Sequence, residues 1–477
     1  MLKTARGTQA LIDLEDRGPD VLGEHVKGSP IPLWPQVRNI VSLALNELDY
    51  ALTAVSAPEP SRSSVWAHLG TSLAPSRSDA RFAKGPTPLC FVVGGTTIHR
   101  VSGKTRNWLV GDFADQNVDQ TSVLQWAPLP SPLGPPDFSA TWSLDPAATR
   151  AAAYARLSRR DPELQVRAIV SELIRQLDVK LRDEQVEAIS AAAVNHERVR
   201  PHVDNAFARM LDRLAPSVVV MEGAAYGGWA SLASMMKARG ILVAEPQHGW
   251  IGPTHAAYNF GEAMHGESLI ATLPDELLTF GSYWAEGLRF PGRITTIGKP
   301  YLELAASDTF PSRDRSEVLV VSSTADPDEM SQFVHTLRRH LNPSWTVRFR
   351  PHPTERPIFA QRYPTMLSAQ GIVLDDHADV YESLRTAAAV IGVASTVLFE
   401  APAFGCRVYV RDSPMIDHYV GDRFGSPIAT EADLVALARR INSREFVDDP
   451  LHVTGNELWM PGALTNFQSW LEDRLQR

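Results

Sequence analysis

Arg350-Pro351-His352-Pro353 and, further on, Ser395-Thr396-Val397-Leu398-Phe399-Glu400-Ala401-Pro402-Ala403-Phe404-Gly405 form the stretch whose reading decides the fold. The runs just before them, Trp345 to Phe349 (WTVRF) and Ala389 to Val393 (AVIGV), are rich in β-branched and aromatic residues and end in small or polar ones. That pattern predicts two strands opening onto loops. In an open α/β sheet, ligands bind in the crevice outside the carboxyl ends of the strands. The loops expected there carry Arg350, His352, Ser395 and Thr396, residue types that hold phosphates.

A leaving group ending in a phosphate or diphosphate gains negative charge in the transition state, so donors aimed at its oxygens speed departure. His352, Ser395 and Thr396 are candidate donors, with Arg350 beside them. A hydroxyl pair at a helix start adds free N–H groups and the positive end of the helix dipole. Glu400, one turn into that helix, is placed to accept both hydroxyls of a ribose. Taken singly, each residue also has a plainer reading: His352 as a turn residue between two prolines, Ser395 or Thr396 as a helix N-cap.

The order His-Pro, Ser/Thr pair, then Glu before a small-residue-Gly turn resembles bacterial glycosyltransferases of the two-Rossmann-domain type, the GT-B fold. The nearest groups are the capsule and lipooligosaccharide sialyltransferases, the Kdo and polysialic acid transferases, and the CDP-glycerol polymerases of teichoic acid synthesis. UDP-N-acetylglucosamine 2-epimerases resemble the last part of the pattern. The resemblance covers roughly residues 215 to 415. It implies an α/β protein with two Rossmann-like domains facing a cleft: residues 1–305 on the acceptor side, 306–455 on the nucleotide-sugar side, and 456–477 as a helix returning to the first domain.

Upstream, Ser217 to Met221 (SVVVM) runs into Glu222-Gly223, and Gly240 to Ala244 into Glu245-Pro246-Gln247-His248-Gly249. Both are strand-then-loop signals. Met221-Glu222-Gly223 resembles the acid-acid-Gly motif of the sialyltransferase groups, with Met221 in place of the first acid. Gln247-His248-Gly249 resembles a triplet of capsule-type transferases on the acceptor side. A positioned base that takes the proton of an acceptor hydroxyl contributes about 10²–10⁴-fold. Glu222 and His248 are the two candidates, their plainer readings being a helix-capping carboxylate and a structural histidine. Tyr258, Asn259 and His255 follow as weaker acceptor-side candidates.

At 477 residues, 44% hydrophobic and 21% charged, the chain is expected to form two globular domains. A net charge of -9 argues against a nucleic-acid partner, which needs clustered Lys and Arg. Cys90 and Cys406, far apart in apolar contexts, read as buried free thiols in a reducing compartment. Met1 to Arg17 lacks the pattern of a secretory signal, and the longest nearly apolar run, Ala387 to Ala394, is far short of the ~20 residues that span a bilayer. The expectation is a cytoplasmic protein whose membrane contact, if any, is peripheral at the inner face. Leu33-Trp34-Pro35 and the apolar positions to Leu48 read as a core helix rather than a membrane-surface one.

Along the chain, a helix is expected at Gln36 to Ala54, a loop at Ser56 to Ser78, strands at Leu89 to Val93 and Asn107 to Val110, and Pro-rich punctuation at Ala127 to Asp137. Ile169, Leu173 and Leu177, then Glu184 to Val194, have helical spacing. Val318 to Ser322 opens the second sheet, with Ser322 and Ser323 as further donors to the nucleotide. Leu458 to Leu475 reads as one returning helix. Asp326-Pro327-Asp328 spells an Asp-x-Asp metal motif, yet Asp326, Pro327 and Glu329 fit an N-cap, an N1 proline and a capping-box acid. No metal and no cofactor is therefore expected. Asp379-Val380-Tyr381-Glu382 reads as a helix start beside the ribose or base.

Many retaining enzymes of this fold carry a second Glu eight positions before the ribose-binding one, and Gly392 stands there. The reading is thus an inverting glycosyltransferase that uses a nucleotide-activated sugar, a CMP-activated one among the options, to build a bacterial surface polysaccharide on a glycan or lipid-linked glycan acceptor. The alternatives are a CDP-polyol phosphotransferase with His248 as base, a UDP-sugar 2-epimerase-like enzyme, and an inactive nucleotide-sugar-binding scaffold. The Gly-His-Arg-Arg-Glu-Asn-like turn of the epimerases is absent at Ser322 to Asp326.

Overall fold

The computed structural model describes residues 3–46, 78–129, 131, 133–158, 160–307, 315–322, 326–352, 355–366, 369–413, 416–421, 423–445 and 455–476. Two parallel sheets carry the architecture. Their strands are β1 (Leu89–Val93), β4 (Thr121–Gln125), β5 (Thr141–Ser143), β6 (Val218–Met221), β7 (Leu242–Pro246), β8 (Glu276–Thr279) and β9 (Arg293–Thr296) in the first. The second holds β10 (Glu317–Val321), β11 (Thr346–Arg350), β12 (Ile372–Leu374), β13 (Ala387–Gly392) and β14 (Arg407–Val410). A separate antiparallel hairpin pairs β2 (Ile98–Val101) with β3 (Lys104–Asn107).

The strand orders are β5-β4-β1-β6-β7-β8-β9 and β12-β11-β10-β13-β14. In each sheet the chain runs outward from the first strand, then crosses back and proceeds the other way. The reversals fall between β1 and β6 and between β10 and β13, and such switch points are where α/β sheets hold ligands. β1, β6 and β13 are buried at every position, as expected of parallel strands covered by helices on both faces. The protein is therefore α/β with two Rossmann-like domains of the GT-B fold.

The described part of the helix expected at Gln36 to Ala54 runs Trp34–Leu45, and the expected loop from Ser56 lies outside the described residues up to 77. The helix expected at Glu184 to Val194 extends over Asp183–Leu214. No strand forms at Asn107 to Val110: Asn107 Oδ1 accepts the N–H groups of Leu109 and Val110 at 2.9 and 3.0 Å and turns the chain out of β3. The returning helix is broken into Gly455–Leu458 and Ala463–Leu475. Between them Gly462 adopts φ +76°, and the N–H groups of Gly462 and Ala463 donate to the Glu303 carboxylate at 2.8 and 2.9 Å.

Asp326 caps the helix Pro327–His340, accepting from the N–H groups of Asp328 and Glu329. Glu329 does not reach back to the cap; its carboxylate takes Arg411 at 2.7 Å. Both cysteines are free and buried, and among the described residues no helix is long and apolar enough to cross a membrane.

The helix Ala463–Leu475 packs on the first sheet. Phe467 is fully buried, its ring centroid 4.2 Å from that of Phe113 and 6.0 Å from that of Phe91. Glu276 on β8 accepts from Trp470 at 2.7 Å and Arg474 at 2.6 Å. Phe467→Ala is expected to lower stability by about 3–5 kcal/mol, read as a lower denaturation midpoint at unchanged slope in urea.

Candidate functional site

The carboxyl ends of the two sheets face one another across a cavity of about 960 Å³. Its walls come from both sides: Thr96 and the β2–β3 hairpin, His248, Gly249 and Lys299 from the first, and Arg350, Asp379 to Glu382, Thr396, Val397 and Glu400 from the second.

Behind the first wall, Glu222 follows β6 at the switch point and does not itself line the cavity. Its Oε2 accepts from Gly94 N–H at 2.7 Å and from the Thr97 hydroxyl at 3.0 Å, tying β6 to the loop after β1. Gln247 is fully buried, donating to the Gly249 carbonyl at 2.9 Å and accepting from Phe280 N–H at 2.8 Å. These bonds clamp the turn that carries His248 into the cavity wall. His248 Nδ1 makes no hydrogen bond and lies 3.9 Å from Glu245 Oε1. Burial lowers the His248 pKa, against the opposing charge of Glu222 and the Pro246 carbonyl. The imidazole is therefore neutral at pH 7, the state a base requires.

Glu245 is fully buried. It accepts from Ala225 N–H at 2.6 Å and from the Tyr258 hydroxyl at 2.7 Å. Tyr226, packed edge-on against Tyr258, meets His255 Nε2 at 3.2 Å. A chain of polar groups thus backs His248. Asn259 braces the same loop, bonding the carbonyls of Gly252 and His255 and the N–H of Arg289.

On the second wall, Ser395 caps the short helix Thr396–Glu400 by accepting Val397 N–H at 3.3 Å, while Thr396 lines the cavity. Arg350 also lines it, but its guanidinium donates to Asp375 at 2.6 Å and to the His377 carbonyl at 3.1 Å. Burial raises the Asp375 pKa, and hydrogen bonds from Ser383 and Arg350 outweigh it and hold the carboxyl below the usual range. Ser322 is buried; its hydroxyl donates to Glu355 and accepts from His352 N–H at 2.8 Å. Glu355 further takes Arg362 at 2.7 Å and Tyr363 at 3.0 Å. His352 itself is exposed at the end of β11 and does not line the cavity. Ser323 lies outside the described residues.

Glu400 is buried and receives Lys299 Nζ at 2.6 Å. The ammonium sits among four rings, with centroids at 4.8 Å (Trp108), 5.3 Å (Phe280), 5.5 Å (Tyr381) and 5.5 Å (Trp459). Gly298 just before it has φ +93°, and a Cβ there would stand 2.3 Å from the Met460 carbonyl. Gly392 is likewise forced: a Cβ would meet Val321 Cγ2 at 2.6 Å. Sequence reasoning passed over Glu245, Lys299 and Glu355, though Glu245 stands beside the triplet it identified and Lys299 follows Gly298 just past the end of β9.

Among the described residues, one group has metal-ligand spacing, Asp375, Asp376 and His377, with ligand atoms within 4.8 Å of one another. Asp375 Oδ2 is taken by Arg350 and Ser383 at 2.6 Å each, and His377 Nδ1 lies 3.2 Å from the Ser383 hydroxyl. The cluster reads as an ion-pair brace.

No family model matches the chain, and no curated protein matches it. Among solved structures, a protein from Listeria monocytogenes assigned as a UDP-N-acetylglucosamine 2-epimerase superposes with a TM-score of 0.50 at 13% identity, covering 81% of this chain and 96% of that one. UDP-GlcNAc 2-epimerase from Neisseria meningitidis bound to UDP-GlcNAc gives 0.48 at 10% identity, over 82% and 100%. A glycosyltransferase from Rickettsia africae ESF-5 gives 0.43 at 11% identity, over 82% and 100%. At such identities the likeness is one of fold, and the chemistry has to be argued from side chains.

Burial pushes the Glu245 carboxyl up from its ordinary 4.5 to about 7. The folded state therefore holds that proton longer than the unfolded one, so the contribution is full below the unfolded value and lost as pH rises through the folded one. Relative to Glu245→Gln, the native protein is expected to lose roughly 3 kcal/mol of stability between about pH 5 and about pH 8, measured by urea titrations across that range. Lys299→Met strands a buried carboxylate and should cost about 3–5 kcal/mol, much of it recovered in Lys299→Met/Glu400→Leu.

Proposed function

We propose that the chain is a nucleotide-sugar-dependent glycosyltransferase that inverts the anomeric centre, with His248 as the base. The observation that carries this reading is the placement of His248, its pKa lowered by burial, on a cavity wall that faces Thr396 and Glu400. Nε2 takes the proton of the acceptor hydroxyl as its oxygen attacks the anomeric carbon. The bond from that carbon to the donor phosphate breaks, and the nucleotide leaves with the electron pair.

The choice of His248 over Glu222 rests on hydrogen bonding. Glu222 Oε2 already holds Gly94 N–H and the Thr97 hydroxyl, so its role is to shape the β1 loop and supply charge that favours imidazolium as the proton arrives. Gln247 and Gly249 set the geometry of the acceptor-side turn. On the donor side, Thr396 and the N–H groups of its turn meet the departing phosphate, with Arg350 at the end of β11; His352, which does not line the cavity, is left out of the phosphate contacts. Ser322 positions the His352 loop, Ser395 caps the helix, and Glu400, oriented by Lys299, meets the ribose. The donor class proposed first is a CMP-activated sugar and the product a bacterial surface polysaccharide, both from the motif resemblance.

A second reading is favoured by the cluster of Glu222, Glu245 and His248, since removal and return of a proton on a bound UDP-sugar, as in 2-epimerisation, also needs several acid–base groups. Incubation with UDP-N-acetylglucosamine in D₂O separates the two, because only the epimerase incorporates deuterium at C2.

Thermal shifts in metal-free buffer are expected with at least one of CMP, CDP and UDP; a CDP response with polyol transfer would assign a phosphotransferase. His248→Ala should lower turnover by about 10²–10⁴-fold while the nucleotide shift persists, whereas Thr396→Val, on the donor-side wall, should reduce both. Absence of a shift with every nucleotide would overturn the reading in favour of a scaffold.

A further inference from the structure

Away from the cleft, a second cavity of about 700 Å³ opens between the helices Asp145–Leu157 and Asp183–Leu214. Its floor is apolar: Trp126 and Leu144, just past the carboxyl ends of β4 and β5, with Phe207 and Met210 from the long helix. Its rim is basic, with Arg81, Arg150, Arg209, Arg213 and His202, and no carboxylate lines it. In a chain of net charge -9 this is a local reversal of sign.

Asp79 is nearly fully buried and paired with Arg81 at 3.1 Å and Arg150 at 2.9 Å. Among the described residues, the four guanidinium groups that line the cavity outnumber this carboxylate, so the rim is positive. Arg213 spends one nitrogen on the Ala80 carbonyl at 3.2 Å, and Arg209 is exposed.

The apolar residues nearest the mouth face water. Leu157, which lines the cavity, is 82% exposed and Tyr154 58%; Leu164, at the start of the next helix, is 85% exposed. Leu157 and Leu164 are the two most exposed large apolar side chains among the described residues. Isolated exposed leucines are ordinary, but Leu157 and Tyr154 both line a basic-rimmed apolar groove and form a patch with a chemical identity.

We infer that this groove docks the surface of an anionic bilayer, a phospholipid phosphate meeting the arginine rim and its chain the apolar floor, with Leu157 and Tyr154 entering the interface. An acidic protein segment would satisfy the rim but not the apolar floor, and a free phosphate would leave the exposed Leu157 and Tyr154 unexplained. Because the groove lies at the carboxyl ends of β4 and β5, the contact brings the acceptor-side edge of the first sheet to the membrane. The inference does not depend on the transferase reading.

The test is flotation of the full chain with phosphatidylglycerol vesicles and with phosphatidylcholine vesicles, at low and high salt. Expected are binding to the former alone, weakening with salt, a roughly fivefold loss in Arg209→Gln, and a larger loss in Leu157→Asp. Both positions are exposed, so the variants should fold, and nucleotide thermal shifts, which report on the other site, should stay as in the native protein. Binding unaffected by both substitutions, equal binding to the two vesicle types, or no binding would overturn the inference. Millimolar glycerol phosphate that displaces the vesicles would assign the rim to a soluble anion and likewise overturn it.

Discussion

The contact between Lys299 and Glu400 is the constraint on which the geometry of the cleft depends. It joins the segment leaving the last strand of the first sheet to the short helix after β13 of the second, and both groups are nearly out of water. A buried ion pair adds little net stability against apolar replacements, but losing one partner is costly. Its effect is specificity of arrangement. The rings of Trp108, Phe280, Tyr381 and Trp459 surround the ammonium from both sides of the cleft, so the charge is satisfied only when the sheets hold this orientation. Neighbouring contacts repeat the tie: Tyr301 with Asp379, Trp459 with the Phe399 carbonyl, and Trp250 with the Tyr419 carbonyl.

Within that frame the two walls differ electrostatically. The second wall has its charges paired off, Arg350 with Asp375 and Arg362 with Glu355, leaving hydroxyl and N–H donors toward the cavity. The first wall keeps an unsatisfied imidazole nitrogen, with a carboxyl raised by burial behind it. On the proposed transferase reading, a donor-rich wall facing that imidazole suits group transfer from a phosphate to a hydroxyl.

Much of this was legible in the chain. Fully apolar runs such as Leu89 to Val93 and Ala387 to Gly392 announce parallel strands, because their register needs no alternation when both faces are covered. Asp326-Pro327 announces a helix start through local hydrogen bonding alone. His248, Thr396 and Glu400 were found because they follow such strands immediately. Glu245, equally close, reads from sequence as part of the loop after the strand, whereas β7 runs on to Pro246 and buries it. The strand expected at Asn107 to Val110 failed for a local reason: the Asn107 side chain competes for the backbone N–H groups that a ladder would use.

By itself, then, the sequence determined two parallel α/β sheets, the loops that leave them and the residue types at their ends, since those follow from periodicity, capping and turn chemistry over a few residues. Which of those side chains face the cavity was decided by tertiary structure. Lys299 and Glu400, far apart in the chain, become partners only when the sheets meet, and Ser322 and Arg350 are drawn into bonds with Glu355 and Asp375 rather than left free. Hydrogen-bond satisfaction of buried charges is a property of neighbours in space, and no local pattern specifies who those neighbours are.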